Sequence, residues 1–114
     1  MHELSIALSV VDLACAEAGR HGGRVCAVHI RVGALAGVAA EALLASYEMA
    51  AARTPLEGSR LLIEEVPVVV FCERCEANRP LASLQSFSCP ECGAPAPRVE
   101  QGRELELVAL EIEP

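Results

Sequence analysis

Six cysteines occur in the chain, and four of them fall in two pairs, Cys72-Glu-Arg-Cys75 and Cys89-Pro-Glu-Cys92, with 13 residues between the pairs. Two-residue spacing lets both thiolates of a pair reach one tetrahedral ion, and two such pairs complete four ligands with no open position. Gly93 suits the tight turn after the second pair, and Pro90 stiffens it. Zinc is the metal expected; iron accepts the same ligands, and disulfides are the other chemistry open to paired thiols. A closed all-thiolate site leaves no place for substrate or water, so its role is structural. Metal binding of this kind contributes about 10–16 kcal/mol to folding, ample for a segment with almost no core. Cys15 and Cys26 read instead as small buried apolar residues.

The elements around the cysteines follow from periodicity. Residues 3–18 predict a helix, with Leu4, Leu8, Val11 and Cys15, and Ala7, Ala14 and Ala18 beside them, on its buried face and Gly19 as its stop. Residues 24–32 predict a strand whose core face is Cys26, Val28, Ile30 and Val32, with His29 and Arg31 toward solvent. Gly33 and Gly37 bracket a turn, residues 39–53 predict a second helix, and Thr54-Pro55 ends it. The aliphatic stretch 61–70 is strand, split or placed at an edge by Pro67. From Cys72 to Arg98 the texture changes to four prolines and no helical period. Residues 104–112 return to strand, with a change of apolar phase that suggests a bulge or a long twisted strand. The last strand is expected to rejoin the first. The fold class is therefore α/β: two helices on a small, mostly antiparallel three-stranded sheet, with a zinc-ribbon-like four-cysteine module inserted before the last strand.

Composition sets limits on function. The chain has 114 residues, 53% apolar but only 3% aromatic, and its nine basic residues, all Arg, face 16 acids for a net charge of −7. That balance opposes a nucleic-acid partner or an anionic membrane surface. Around the cysteines, Glu73, Glu76 and Glu91 outnumber Arg74 and Arg79, which also disfavours a phosphate-binding ribbon. No apolar stretch approaches the ~20 residues of a membrane span. The N-terminal flank, with His2, Glu3 and Asp12, does not fit a signal peptide. The expected compartment is cytoplasmic. No nucleophile triad, phosphate-cradling loop or open metal site with a general base is evident, so no enzyme is expected. An alternative is a zinc-ribbon module for protein–protein or nucleic-acid interaction.

One resemblance covers nearly the whole chain. Met1-His-Glu-Leu-Ser5, Arg31-Val-Gly-Ala-Leu-Ala-Gly-Val38, Leu61-Leu-Ile-Glu-Glu-Val-Pro67, the two cysteine pairs and Gly102-Arg-Glu-Leu-Glu-Leu107, in that order, resemble the HypA/HybF family. These are nickel metallochaperones of [NiFe]-hydrogenase maturation. The resemblance implies Ni2+ as transient cargo at Met1, His2 and Glu3, with His2 the required side chain, and structural Zn2+ at Cys72, Cys75, Cys89 and Cys92. It implies a nickel-binding α/β domain, 1–67 plus 101–114, and a zinc-binding domain, 68–100. It further implies as partners a nickel-associated nucleotidase of the HypB type and the hydrogenase large subunit, with urease served by some members; the chain itself is expected to be a monomer or weak homodimer. The Met1 amine, the backbone nitrogens of His2 and Glu3 and the His2 imidazole would offer an all-nitrogen, roughly planar set suited to Ni2+ or Cu2+. Amides at a helix start have no intrahelical acceptor, so they can be deprotonated without breaking the helix. Glu3 also reads as a helix-start acid complementing the dipole. Some relatives carry His beside the cysteine pairs; here the flanks are Phe71, Glu76, Ser88 and Gly93, which argues against a pH-switched zinc site. His21 reads as a solvated loop residue and His29 as a strand-face residue.

Overall fold

The computed structural model describes residues 2–114. The elements are α1 (Glu3–Ala18), β1 (Arg24–Gly33), a 3-10 turn (Ala34–Ala36), α2 (Ala40–Ala51), β2 (Arg60–Val66), β3 (Val69–Cys72), β4 (Ala77–Pro80), β5 (Arg98–Gln101) and β6 (Leu105–Glu113). They form two small three-stranded sheets, ordered β2-β1-β6 and β4-β3-β5. The last strand does return to β1, as expected. The chain gathers into two compact units, one of Met1–Arg31, Gly37–Glu64 and Leu105–Pro114, the other of Val32–Ala36 and Glu65–Glu104.

In the first unit α1 packs against α2. The bounds of α1 match the expected 3–18, and its buried face does so in part: Ala7, Val11 and Ala14 are inside as expected. Ile6, Ala7, Val10, Val11 and Ala14 are buried, whereas Leu4 and Leu8 are 42% and 48% exposed and Cys15 is half-buried. The helix carries two apolar stripes, and the one with small residues wins: Ala7 and Ala14 are fully buried, and a methyl side chain lets two helices approach closely. On α2 the buried residues are Leu43, Tyr47, Ala50 and Ala51. This helix stops at Ala51, two residues before the expected 53. The Thr54 hydroxyl (2.6 Å) and Thr54 N–H (3.0 Å) both donate to the Ala51 carbonyl, and Arg53 adopts a left-handed φ of 63°. The side chain of Thr54 thus supplies the stop one position before Pro55 could.

β1 is the central strand of its sheet. Val28, Ile30 and Val32 are buried as expected, but so are Val25 and Ala27 from the opposite phase, while Cys26 is half-buried. The buried set thus changes phase between Ala27 and Val28. His29 and Arg31 are half-buried rather than solvated. His29 Nε2 lies 2.5 Å from Glu111, and Arg31 pairs with Glu64 (3.4 Å) and Glu106 (3.3 Å). β6 is an edge strand with no buried residue; Leu107, Leu110 and Ile112 are half-covered.

The second unit centres on β3. β4 runs antiparallel to it with Val70 opposite Arg79 and Cys72 opposite Ala77, and β5 pairs on the other side with an irregularity between Val69 and Val70. Pro67 separates β2 from β3, as expected. The core is small: Val68, Val70 and Ala96, with Leu35, Leu81, Phe87 and Val99 packed on it. Val32–Ala36 joins this unit through two backbone hydrogen bonds, Gly33 N–H to the Glu104 carbonyl and Leu35 N–H to the Gly102 carbonyl, both 2.7 Å. A side chain at Gly33 would collide with the Gly102 carbonyl, so this crossing is possible only with glycine.

Candidate metal centre

The β3–β4 hairpin presents Cys72 at its end and Cys75 in its turn; the second pair lies in the loop before β5. The two turns match. Cys75 is followed by Glu76 with φ 54°, and Cys92 by Gly93 with φ 75°. In the second, Gly93 N–H donates to the Cys89 carbonyl (2.8 Å) and Cys89 N–H to the Ala94 carbonyl (2.9 Å). In the first, Cys75 N–H points at the Cys72 sulfur, 3.4 Å away. Both turns curl their backbone amides around sulfur, which favours thiolate.

All four sulfurs lie within 4.8 Å of one another. Cys72 Sγ is 3.6 Å from Cys92 Sγ, and Cys75 Sγ is 3.9 Å from Cys89 Sγ. Among the described residues this is the one group of three or more ligand side chains close enough to share a metal ion. All six cysteines are free thiols, so no disulfide competes. Cys72 and Cys89 are buried, and Cys75 and Cys92 half-buried. Burial pushes the Cys89 thiol up, but the amides of Cys92 and Glu91 and the neighbouring thiols outweigh it and bring it down to about 6. For Cys92 the Ala94 amide pulls down; burial and proton sharing with the other three sulfurs outweigh it and hold the thiol up at about 11. A divalent cation binding here would displace the thiol protons.

Arg79 is the residue that sequence reasoning passed over as a minor local charge. It sits opposite the buried Val70 and two residues from Ala77, the partner of Cys72, so the two-residue period puts it on the face of Cys72. The nearby thiols of Cys75 and Cys89 favour its charged form, against the opposing effect of burial. Its Nε is buried without a partner, and among the described residues no other buried side-chain nitrogen or oxygen is so placed. The pairing register is the signal that finds it.

At the other end of the chain, His2 is exposed and caps α1 with extended dihedrals, φ −78° and ψ 106°, making no side-chain capping bond. Only its carbonyl is engaged, accepting from Ile6 N–H at 3.2 Å. The N–H groups of His2 and Glu3 have no carbonyl four residues earlier to receive them. His2 opens onto a groove of about 400 Å³ between α1 and the sheet, lined also by Ser5, Leu13, Ile30, Leu105 and Glu106. The Glu3 carboxylate accepts from Ala39 N–H at 3.3 Å, tying the start of α1 to the residue that caps α2. Met1 lies outside the described residues. His21 is bound to Glu17 (3.1 Å) and His29 to Glu111, and neither joins a ligand cluster.

Residues 1–112 match the family model described as hydrogenase/urease nickel incorporation, metallochaperone, HypA. The chain belongs to the HypA family. A hydrogenase maturation factor HypA from Chloroflexus aurantiacus is 54% identical over 112 residues, spanning 97% of this chain and 98% of the relative. One from Deinococcus radiodurans is 45% identical over 108 residues, spanning 94% and 89%. The solution structure of the Ni metallochaperone HypA from Helicobacter pylori superposes with a TM-score of 0.69 at 21% identity, covering 98% of this chain and 97% of that one. A second HypA solution structure gives 0.73. The HypA fold thus places a four-cysteine cluster in one compact unit and an exposed His2 in the other.

Proposed function

We propose that this chain carries Ni2+ at its N-terminus for [NiFe]-hydrogenase maturation and holds structural Zn2+ at Cys72, Cys75, Cys89 and Cys92. Family membership supports the nickel role, and the observation that carries the site is His2: an exposed imidazole next to two helix-start amides without intrahelical acceptors. Those two nitrogens, the imidazole and the Met1 amine make a planar nitrogen set of the kind Ni2+ prefers. A site built on deprotonated amides at the positive end of a helix dipole is labile and pH-dependent, which suits a carrier. The tetrahedral all-sulfur cluster suits Zn2+, and its closed shell assigns it to holding the fold of the second unit. Six free thiols, four of them grouped for a metal, are in keeping with a reducing cytoplasm.

Delivery would run with a nucleotidase of the HypB type to the hydrogenase large subunit, and a urease-maturation partner fits the same cargo. On this reading the nucleotide hydrolysis belongs to the partner. On this reading residues 1–67 with 101–114 form the nickel domain and 68–100 the zinc domain, as a monomer or weak homodimer.

The test is titration of zinc-loaded protein having its native N-terminus. About one Ni2+ per chain is expected, with zinc retained. His2→Ala, or residues appended before Met1, should abolish nickel binding. Undiminished binding in either would overturn the N-terminal site.

A further inference from the structure

We propose that Arg79 is the counter-charge of the metal centre, a positioning residue whose guanidinium neutralises the thiolate cluster and sets how tightly it keeps its metal. This rests on the reading of the cluster as a zinc site. Four thiolates around a divalent cation leave two surplus negative charges, and the half-buried site keeps water from screening them fully. Nearby exposed side chains make the imbalance worse: Glu73, Glu76 and Glu91 all flank the ligands. Arg79 is the cation placed to offset it. Val70 lies opposite it across the hairpin, on the face that carries Cys72; its Nε is buried, the Cys75 and Cys89 thiols stand near enough to favour its charge, and among the described residues no carboxylate forms an ion pair with it. A buried Arg nitrogen without a partner is costly unless a charge stands close by, and here the sulfurs are that charge. Arg74, by contrast, lies within the first cysteine turn but is exposed. It carries the same formal charge without the buried approach, and so serves as the control.

Donors in the outer shell of a metal site typically change its affinity by about 10–100-fold. Zinc-loaded full-length protein is mixed with a chromogenic chelator, and the rate and extent of zinc transfer are read. R79Q should lose zinc at least about tenfold more readily than the parent, R74Q should match the parent, and R79K, which keeps the charge on a smaller head, should fall between. The Co2+-substituted protein supplies a second readout. Its sulfur-to-metal charge-transfer band should persist in R79Q, reporting four thiolates still in place around a less tightly held ion. Zinc transfer from R79Q at the parental rate would overturn the proposal, as would R79K failing as badly as R79Q. If R79Q does not assemble the module at all, seen as loss of the Co2+ band, R79K decides: assembly and retention close to the parent support the charge role, and failure refutes it. A parent chain that takes up no zinc would defeat the zinc reading itself, an outcome distinct from any of these.

Discussion

Glu3 has two claims on it, one chemical and one architectural. Its carboxylate accepts the Ala39 amide, while its backbone nitrogen belongs to the proposed nickel set. The two separate by substitution. Glu3→Ala should lower stability by about 0.5–1 kcal/mol through loss of one partly exposed hydrogen bond, whereas Glu3→Gln keeps an acceptor oxygen and should stay close to the parent. Both should still bind nickel at the parental stoichiometry, because the backbone nitrogen survives. Urea melts and nickel titration of the same samples check the pair; loss of nickel in Glu3→Gln would make the carboxylate a ligand. The site residues differ in how far the sequence discloses them. Paired cysteines declare themselves because ligand spacing is local, and His2 needs only its place beside the first nitrogen. Arg79 could not be found this way: what aims it at Cys75 and Cys89 is the β3–β4 register, a non-local pairing.

At the scale of elements, α1 makes the clearest case for what sequence can and cannot settle. Its ends were legible because Glu3 and Gly19 mark them locally. Its buried face was legible in part: Ala7, Val11 and Ala14 are inside as expected, but Ile6 and Val10 complete that face in place of Leu4 and Leu8. Ala7→Leu should therefore cost about 1–3 kcal/mol by overpacking, while Leu8→Ala, at an exposed position, should change stability by no more than about 0.5 kcal/mol. The opposite order in thermal or urea denaturation would restore the leucine face. β1 shows the same limit: strict alternation predicts one core face over its whole length, but the buried set changes phase between Ala27 and Val28. In the second unit the local rule is Gly33, where any side chain meets the Gly102 carbonyl. Gly33→Ala should cost a few kcal/mol, about 2–4, seen as an earlier unfolding transition.

For the whole molecule, the two compact units differ in what holds them. The first has two helices on a sheet, with Leu43, Tyr47, Ile30 and Val28 fully buried. The second has a small core built on Val68, Val70 and Ala96, and four thiols poised to close on an ion. Removing the metal with a strong chelator, or substituting Cys72→Ala, should melt the second unit and leave the helical circular dichroism of α1 and α2 largely intact. Amide exchange would show the split directly, with fast exchange confined to 69–101. Collapse of the helical signal together with the module would mean that the units fold as one. Lowering pH should release the metal as the thiolates take up protons, so the module is lost on the acid side while the first unit persists.

The hydrogen bonds of Gly33 and Leu35 to Glu104 and Gly102 also bear on how the molecule is made. A ribosome emits Val32–Ala36 long before the residues that receive them, and β6, the partner on one edge of β1, emerges after the cysteine pairs. A nascent chain can therefore assemble α1, β1, α2 and β2 and collect all four sulfur ligands while β1 still has a bare edge. A chain that stops before β6 should therefore be a clientele for chaperones even with every metal ligand present.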